Sequence, residues 1–162
     1  MTKGNFYFIS DDYYAKYKQY GVMKTREDAD GEATGRPSFY TIPDDEYPDI
    51  YWMIPISSQI DKYKALYKNK LDNHPNWKDY DGLEFGYVRG RQAAFLLQNI
   101  CPVTSTYIVE EYIDCMTNAP VSIPNDLKRK LNAKARKIVR CAKSGTKLTL
   151  TDTMAILLDL IK

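Results

Sequence analysis

Histidine and cysteine are scarce in this chain, and their scarcity excludes much chemistry. One histidine, His74, and three cysteines, Cys101, Cys115 and Cys141, stand in 162 residues. No CxxC pair or ligand cluster surrounds them, so neither zinc nor any other metal or cofactor is expected. An odd number of widely spaced cysteines reads as reduced thiols in or near a core, the usage of a cytoplasmic protein. GxGxxG, Walker, GxSxG and HExxH patterns are all missing, which removes the common dinucleotide, P-loop, α/β-hydrolase and zincin chemistries. No run approaches the ~20 apolar residues of a membrane helix. The opening MTKGNFYFISDDYY meets Asp11 and Asp12 too early for a signal peptide. A cytoplasmic location with no membrane partner is therefore expected.

What is present can build a core. With 44% hydrophobic and 27% charged residues, the chain reads as a single globular domain spanning 1–162. Its net charge is only +2, but the distribution is uneven. Between Asp126 and Lys147 stand nine lysines and arginines against one acid, a local +8 that leaves −6 for the rest of the chain. Segregation of this kind suits a polyanionic partner, with a solvated helix face as the plainer alternative. Lys128, Lys130, Lys134, Lys137 and Arg140 are the phosphate contacts expected on that segment.

Periodicity and turn residues place the elements. A strand is expected over 5–9, then a short helix opened by Ser10, with Tyr13, Tyr17 and Tyr20 at helical spacing and Gly21 at its end. Residues 24–36 are polar and read as a loop. Strands are expected over 37–42 and 50–56, joined by an acidic, proline-containing turn. A helix over 59–71 follows, capped by Ser58, with Ile60, Tyr63, Tyr67 and Leu71 on its apolar face. Strands over 82–88 and 92–99 flank the turn Arg89-Gly90-Arg91. The pattern then predicts a short helix over 104–114, an extended piece over 120–123 and a basic helix opened by Asn125 and ended by Gly145. A strand over 147–150 and a final apolar helix over 151–161 complete it. Sequential, hairpin-joined strands argue for an antiparallel sheet, so the expected architecture is α+β: a compact, highly curved antiparallel β-barrel with flanking helices.

One junction carries chemistry. Ser57 and Ser58 end a hydrophobic strand and open a helix, where unpaired N–H groups and the positive end of the dipole favour a phosphate. Lys62 lies within a turn of them, and Arg36, ahead of the neighbouring strand, is expected to point to the same place. Such a cluster can hold an RNA phosphodiester and stabilise the charge that grows as the 2′-OH attacks, the nucleophile belonging to the substrate. A plain helix cap is the alternative. Lys64 and Lys68, on the same helix, are grouped with His74 as RNA contacts. His74 sits in the loop NHPNW and reads as a surface histidine, with general acid or base the sharper alternative. The helically spaced tyrosines read as core, with stacking on bases as their alternative.

Read together, four stretches resemble the ToxN/AbiQ family, ribonuclease toxins of type III toxin–antitoxin systems. FYFIS followed by DDYYAKY is similar to the family's first strand and the tyrosine at the start of its first helix, here Tyr13. Arg36-Pro37 resembles the basic residue before its second strand. YWMIPISS, at 51–58, is similar to its hydrophobic-Pro-hydrophobic-Ser/Thr-Ser motif followed by lysines, and FLLQNICPV, at 95–103, resembles a later strand. IPISS, DKYK, FLLQN and the basic C-terminal helix are most similar to the CptN branch. The resemblance covers nearly the whole chain.

It implies a barrel like that of the MazF/Kid toxins and metal-independent cleavage of single-stranded RNA to 2′,3′-cyclic phosphate and 5′-OH ends. It also implies cellular RNA substrates, and a small pseudoknot antitoxin RNA that the toxin cuts from a repeated precursor and that closes with it into a ring-like or heterotetrameric assembly. The implied role is phage abortive infection or plasmid maintenance. Carried onto this chain, the catalytic set is Tyr13, Arg36, Ser57, Ser58 and Lys62. The chain departs from the pattern in having Ser57 where threonine is better known. It also has Gln59-Ile60-Asp61-Lys62 where a lysine follows almost at once, which makes Lys64 the substitute for Lys62. Two alternatives stay open: a non-catalytic RNA-binding barrel, and a MazF-like toxin restrained by a protein antitoxin.

Overall fold

The computed structural model describes residues 4–23 and 39–162. The chain begins with β1 (Phe6–Ile9) and α1 (Asp11–Tyr17), the latter running into a 3-10 turn that Gly21 closes at φ 78°. Then come β2 (Phe39–Pro43), β3 (Ile50–Ser57), α2 (Ile60–Asn73), β4 (Glu84–Val88) and β5 (Arg91–Phe95). β6 (Cys101–Thr104), β7 (Ile108–Glu111), the two-residue strands β8 (Ile113–Asp114) and β9 (Ala119–Pro120), α3 (Asn125–Lys143) and α4 (Thr153–Leu160) follow.

β3 organises the fold. Its run of Ile, Tyr, Trp, Met and Ile suits a strand covered on both faces, and Trp52, Met53 and Ile54 are buried. Along one edge it pairs with β2, from Phe39 opposite Pro55 to Pro43 opposite Tyr51. The other edge is shared: β6 takes Ile50 to Met53, and β5 takes Ile56 and Ser57. Pro55, which has no N–H to give a ladder, falls between those two partners, and its carbonyl accepts from Leu96 N at 2.9 Å. All pairings are antiparallel, in the order β4-β5-β3-β2-β1-β7 with β6 beside β3. The α+β class and the antiparallel sheet are as expected; among the described residues no pairing between β4 and β7 is detected. The sheet forks where β5 and β6 divide one edge of β3.

Helices cover this sheet. Leu127, Leu131, Ala135 and Ile138 make the buried stripe of α3 and pack with Trp52, Ile54 and Phe95. The helix can approach β4 because Gly86 has no side chain: a Cβ there would overlap Leu127. Tyr13 and Tyr17 of α1 pack with Met53, Cys101 and Ile156 in a second cluster. Tyr63 of α2 packs with Leu83, Ala94 and Leu96 in a third. The β4–β5 hairpin turns through Arg89 (φ 53°) and Gly90 (φ 76°), the two left-handed positions of a type I′ turn.

Several expectations are corrected. Residues 104–114 are not a helix: Ile108–Glu111 is a strand because it pairs with β1, from Tyr7 opposite Glu111 to Ile9 opposite Ile108. Residues 147–150 form no strand, and Leu150 N merely donates to Gln98 O at 2.7 Å. All three cysteines are free thiols, but only Cys101 is buried; Cys141 is half-buried and Cys115 is exposed. No helix among the described residues is long and apolar enough to cross a membrane.

Candidate functional site

The last residue of β3 and the first turn of α2 meet in a sharp corner. Ser57 is still in the sheet, opposite Ala94, and half-buried, whereas Ser58 and Gln59 are exposed. Ser57 Oγ accepts from Gln59 N at 3.1 Å, so the serine side chain tightens the turn ahead of the helix. Gln59, not Ser58, holds the N-cap position, and its side chain makes no cap hydrogen bond. Ile60 N donates to Ser58 O at 2.9 Å; the N–H groups that follow in a helix's first turn are those that can meet an anion, although Asp61 in that turn works against one.

Two lysines flank the corner. Lys62 is exposed, its Nζ 5.3 Å from the Tyr63 ring centre. Lys64 reaches β5, where Nζ lies 3.5 Å from Gln92 Oε1. Gln92 is two residues from Ala94 and therefore on the same face, about 7 Å along the strand. Neither lysine has an acid partner among the described residues. Ser57 and Ser58 at the end of β3 and Lys62 and Lys64 at the start of α2 thus lie close together along the chain, with Lys64 turned to β5. Arg36, the remaining cation assigned to this pocket, lies outside the described residues.

Three other assigned residues are elsewhere. Tyr13 is fully buried, its hydroxyl donating to Pro102 O at 2.8 Å and its ring 4.9 Å from Tyr17. Burial raises its pKa well above the ordinary tyrosine value, so it is a neutral core group, not a residue facing substrate. The neighbouring Cys101 thiol is likewise pushed up to about 12 by burial. His74 and Lys68 lie toward the far end of α2; fourteen residues span about 21 Å. His74 is exposed, stacked on Trp77 with ring centres 3.7 Å apart, and its Nδ1 meets Lys70 O at 2.9 Å. Lys68 pairs with Asp72.

The basic helix is less available than its composition promises. Lys134, expected among the phosphate contacts, is buried, its Nζ 3.0 Å from both Asp79 and Glu84 and 2.7 Å from Leu83 O. It falls on the inner stripe of α3, one turn after Leu131, and fastens the 79–84 loop. Burial alone would raise the Asp79 carboxyl, but bonds from Tyr67 and Lys134 bring it below its ordinary value. Lys137 pairs with Asp81, and Arg136 lies 3.9 Å from Asp45. Lys143 holds Asp44 at 2.9 Å and Glu46 at 3.2 Å.

Asp44 also accepts from Trp52 Nε1 at 2.7 Å and from the N–H groups of Glu46 and Tyr47. Burial opposes its charge, yet these bonds keep its pKa below the usual 3.8. Lys128, Arg129, Lys130 and Arg140 have no acid partner among the described residues. Between the hairpin tip and α3 lies a cleft of about 240 Å³ that includes Ile42, Trp52, Val139 and Arg140. Sequence reasoning missed this cleft, since the acids and cations around it are about ninety to one hundred residues apart.

No family model matches the sequence, and no curated protein matches it. A search of solved structures finds the lactococcal anti-phage endoribonuclease AbiQ, which belongs to the type III toxin–antitoxin system. The two folds superpose with a TM-score of 0.68 at 15% identity, over 99% of this chain and 97% of that one. At that identity the likeness is one of fold.

Proposed function

We propose that this chain is the toxin of a type III toxin–antitoxin system, an endoribonuclease that cuts single-stranded RNA at the β3–α2 corner. The observation that supports this reading most is the conjunction of a full-length likeness to AbiQ with a strand-to-helix corner bearing two adjacent serines. In the proposed reaction the substrate's own 2′-OH attacks the adjacent phosphorus and the bond to the 5′-oxygen breaks. The ends are a 2′,3′-cyclic phosphate and a 5′-OH. Ser58, the first-turn N–H groups of α2 and, once it rotates from Gln59 N, Ser57 donate to the phosphate oxygens as charge builds on them. Lys62 and Lys64 offset that charge, with Arg36 assigned to the same task. The 2′-OH proton passes to solvent water as the bond to phosphorus forms, and one of the lysines supplies the proton to the departing 5′-oxygen, because His74 is a helix length away. No step calls for a metal.

Lys128, Arg129, Lys130 and Arg140 are proposed to grip the antitoxin, a pseudoknot RNA that the enzyme trims from a repeated precursor. The product and the toxin then close into one assembly. A uniformly labelled single-stranded RNA incubated with the purified chain in EDTA tests the reaction. The expected outcome is discrete fragments whose 3′ ends resist phosphatase until acid opens the cyclic phosphate. Intact RNA would refute nuclease activity and leave a binding protein. A second polypeptide without RNA in the complex purified from its native operon would instead favour a protein antitoxin.

A further inference from the structure

The cleft between the β2–β3 hairpin tip and α3 lies at the opposite end of β3 from Ser57. We infer that it is a recognition pocket for a single unpaired nucleobase, with guanine preferred. The inference rests on the proposed RNA-binding role and names the chemistry of a second site within it.

Size comes first. About 240 Å³ falls short of the ~300–1,000 Å³ usual for drug-sized ligands, and a single planar ring system fits better than a whole nucleotide. The floor is apolar, built by Ile42 and Val139 with Trp52. The lining also carries three carboxylates, Asp44, Asp45 and Glu46, and three cations, Arg136, Arg140 and Lys143. Their charges balance, so the cleft has no net field with which to draw in a phosphate. A neutral ring with donors and acceptors on its edge suits it.

The rim groups differ in readiness. Asp44 is saturated: its side chain is 1% exposed and bound by Trp52, Lys143 and two backbone N–H groups. Asp45 and Glu46 are open, with side chains 76% and 63% exposed, and among the described residues their ion pairs are with Arg136 at 3.9 Å and Lys143 at 3.2 Å. Exposed pairs of this kind contribute little, so either carboxylate can turn to a ligand. Arg140, one turn after Arg136 on α3, has no acid partner among the described residues and is free to lie against a ring face. Guanine alone among the four bases presents two adjacent N–H donors on its pairing edge, beside a carbonyl. One carboxylate accepts both donors, and a neighbouring guanidinium donates to the carbonyl.

The protein has two tryptophans, so Trp77→Phe leaves Trp52, in the pocket wall, as the sole indole reporter. Titration of that variant with GMP, AMP, CMP and UMP is expected to give a saturable change in Trp52 fluorescence. GMP should bind about tenfold tighter than the other three. Adding Asp45→Asn and Glu46→Gln, both at exposed positions, should abolish the preference. A flat response to GMP up to about 10 mM, or equal affinity for all four, would overturn the inference. RNA cleavage measured on the same preparation separates the two readings. If RNA is cut while Trp52 stays silent, the pocket is refuted and the nuclease stands; if GMP binds selectively but RNA stays intact, the pocket stands and the nuclease is refuted.

Discussion

Helix α2 carries four lysines and α3 carries eight lysines and arginines, yet the poorer helix presents its cations at the better-prepared corner. On α2, Lys62 and Lys64 lie near the helix start and two serines, with no ion pair to an acid among the described residues. On α3, Lys134, Arg136, Lys137 and Lys143 are engaged by acids from the hairpin tip and the 79–84 loop. Half of the richer helix's charge is thus occupied within the fold. A local excess of charge in a sequence is an upper bound on what a ligand can use, and three-dimensional pairing sets how far below it the protein falls.

The sharpest way to break this comparison is at the corner itself. Ser58→Ala should cut RNA cleavage by about 100- to 1,000-fold, the usual cost of losing one donor to a developing oxyanion. Its thermal stability should stay near wild type, since Ser58 is exposed. Single-turnover rates alongside melting curves check both halves.

On α3 the largest effect should be on stability. Lys134→Met leaves Glu84 and Asp79 without their buried cation and should destabilise by about 3–5 kcal/mol. The salt dependence of RNA binding should not move, because Lys134 reaches no solvent-borne phosphate. Denaturant titration and binding at several salt concentrations would separate the two.

The Asp44 cluster adds a pH signature. Its folded pKa lies below the ordinary 3.8, so its contribution is complete above that value and is lost as pH falls through the lower folded value. Asp44→Asn should therefore flatten the acid limb of the stability curve below about pH 4 and weaken the fold near neutrality by about 1.5–3 kcal/mol. The smallest effect belongs to the outer face. Lys130→Ala should leave stability within about 0.5 kcal/mol and reduce the salt slope of RNA binding by about 0.7–0.9, one phosphate's worth.

The parts legible in the sequence were those decided locally. The continuous apolar run that became β3, the Arg89-Gly90 turn and the amphipathic stripe of α3 follow from neighbours a few residues apart. Element ends moved by a residue or two where a side chain chose the turn, as when Ser57 engaged Gln59 N and shifted the cap away from Ser58. Ile108–Glu111 was misread because its pairing with β1, a hundred residues earlier, outweighs local preference. The fate of Lys134 and Lys143 was equally hidden, since their partners stand 55 and 99 residues away. Tyr13 and Tyr17, at helical spacing, read as core and are buried; a catalytic role for Tyr13 came from the resemblance alone.

The central claim is that the start of α2 receives an RNA phosphate. Amide chemical shifts of the ¹⁵N-labelled protein, recorded with a 2′-O-methyl RNA that cannot attack its own backbone, report on that contact directly. The account predicts the largest shifts at Ser58, Gln59, Ile60 and Asp61. Shifts confined to α3, with the corner unmoved at saturation, would contradict it.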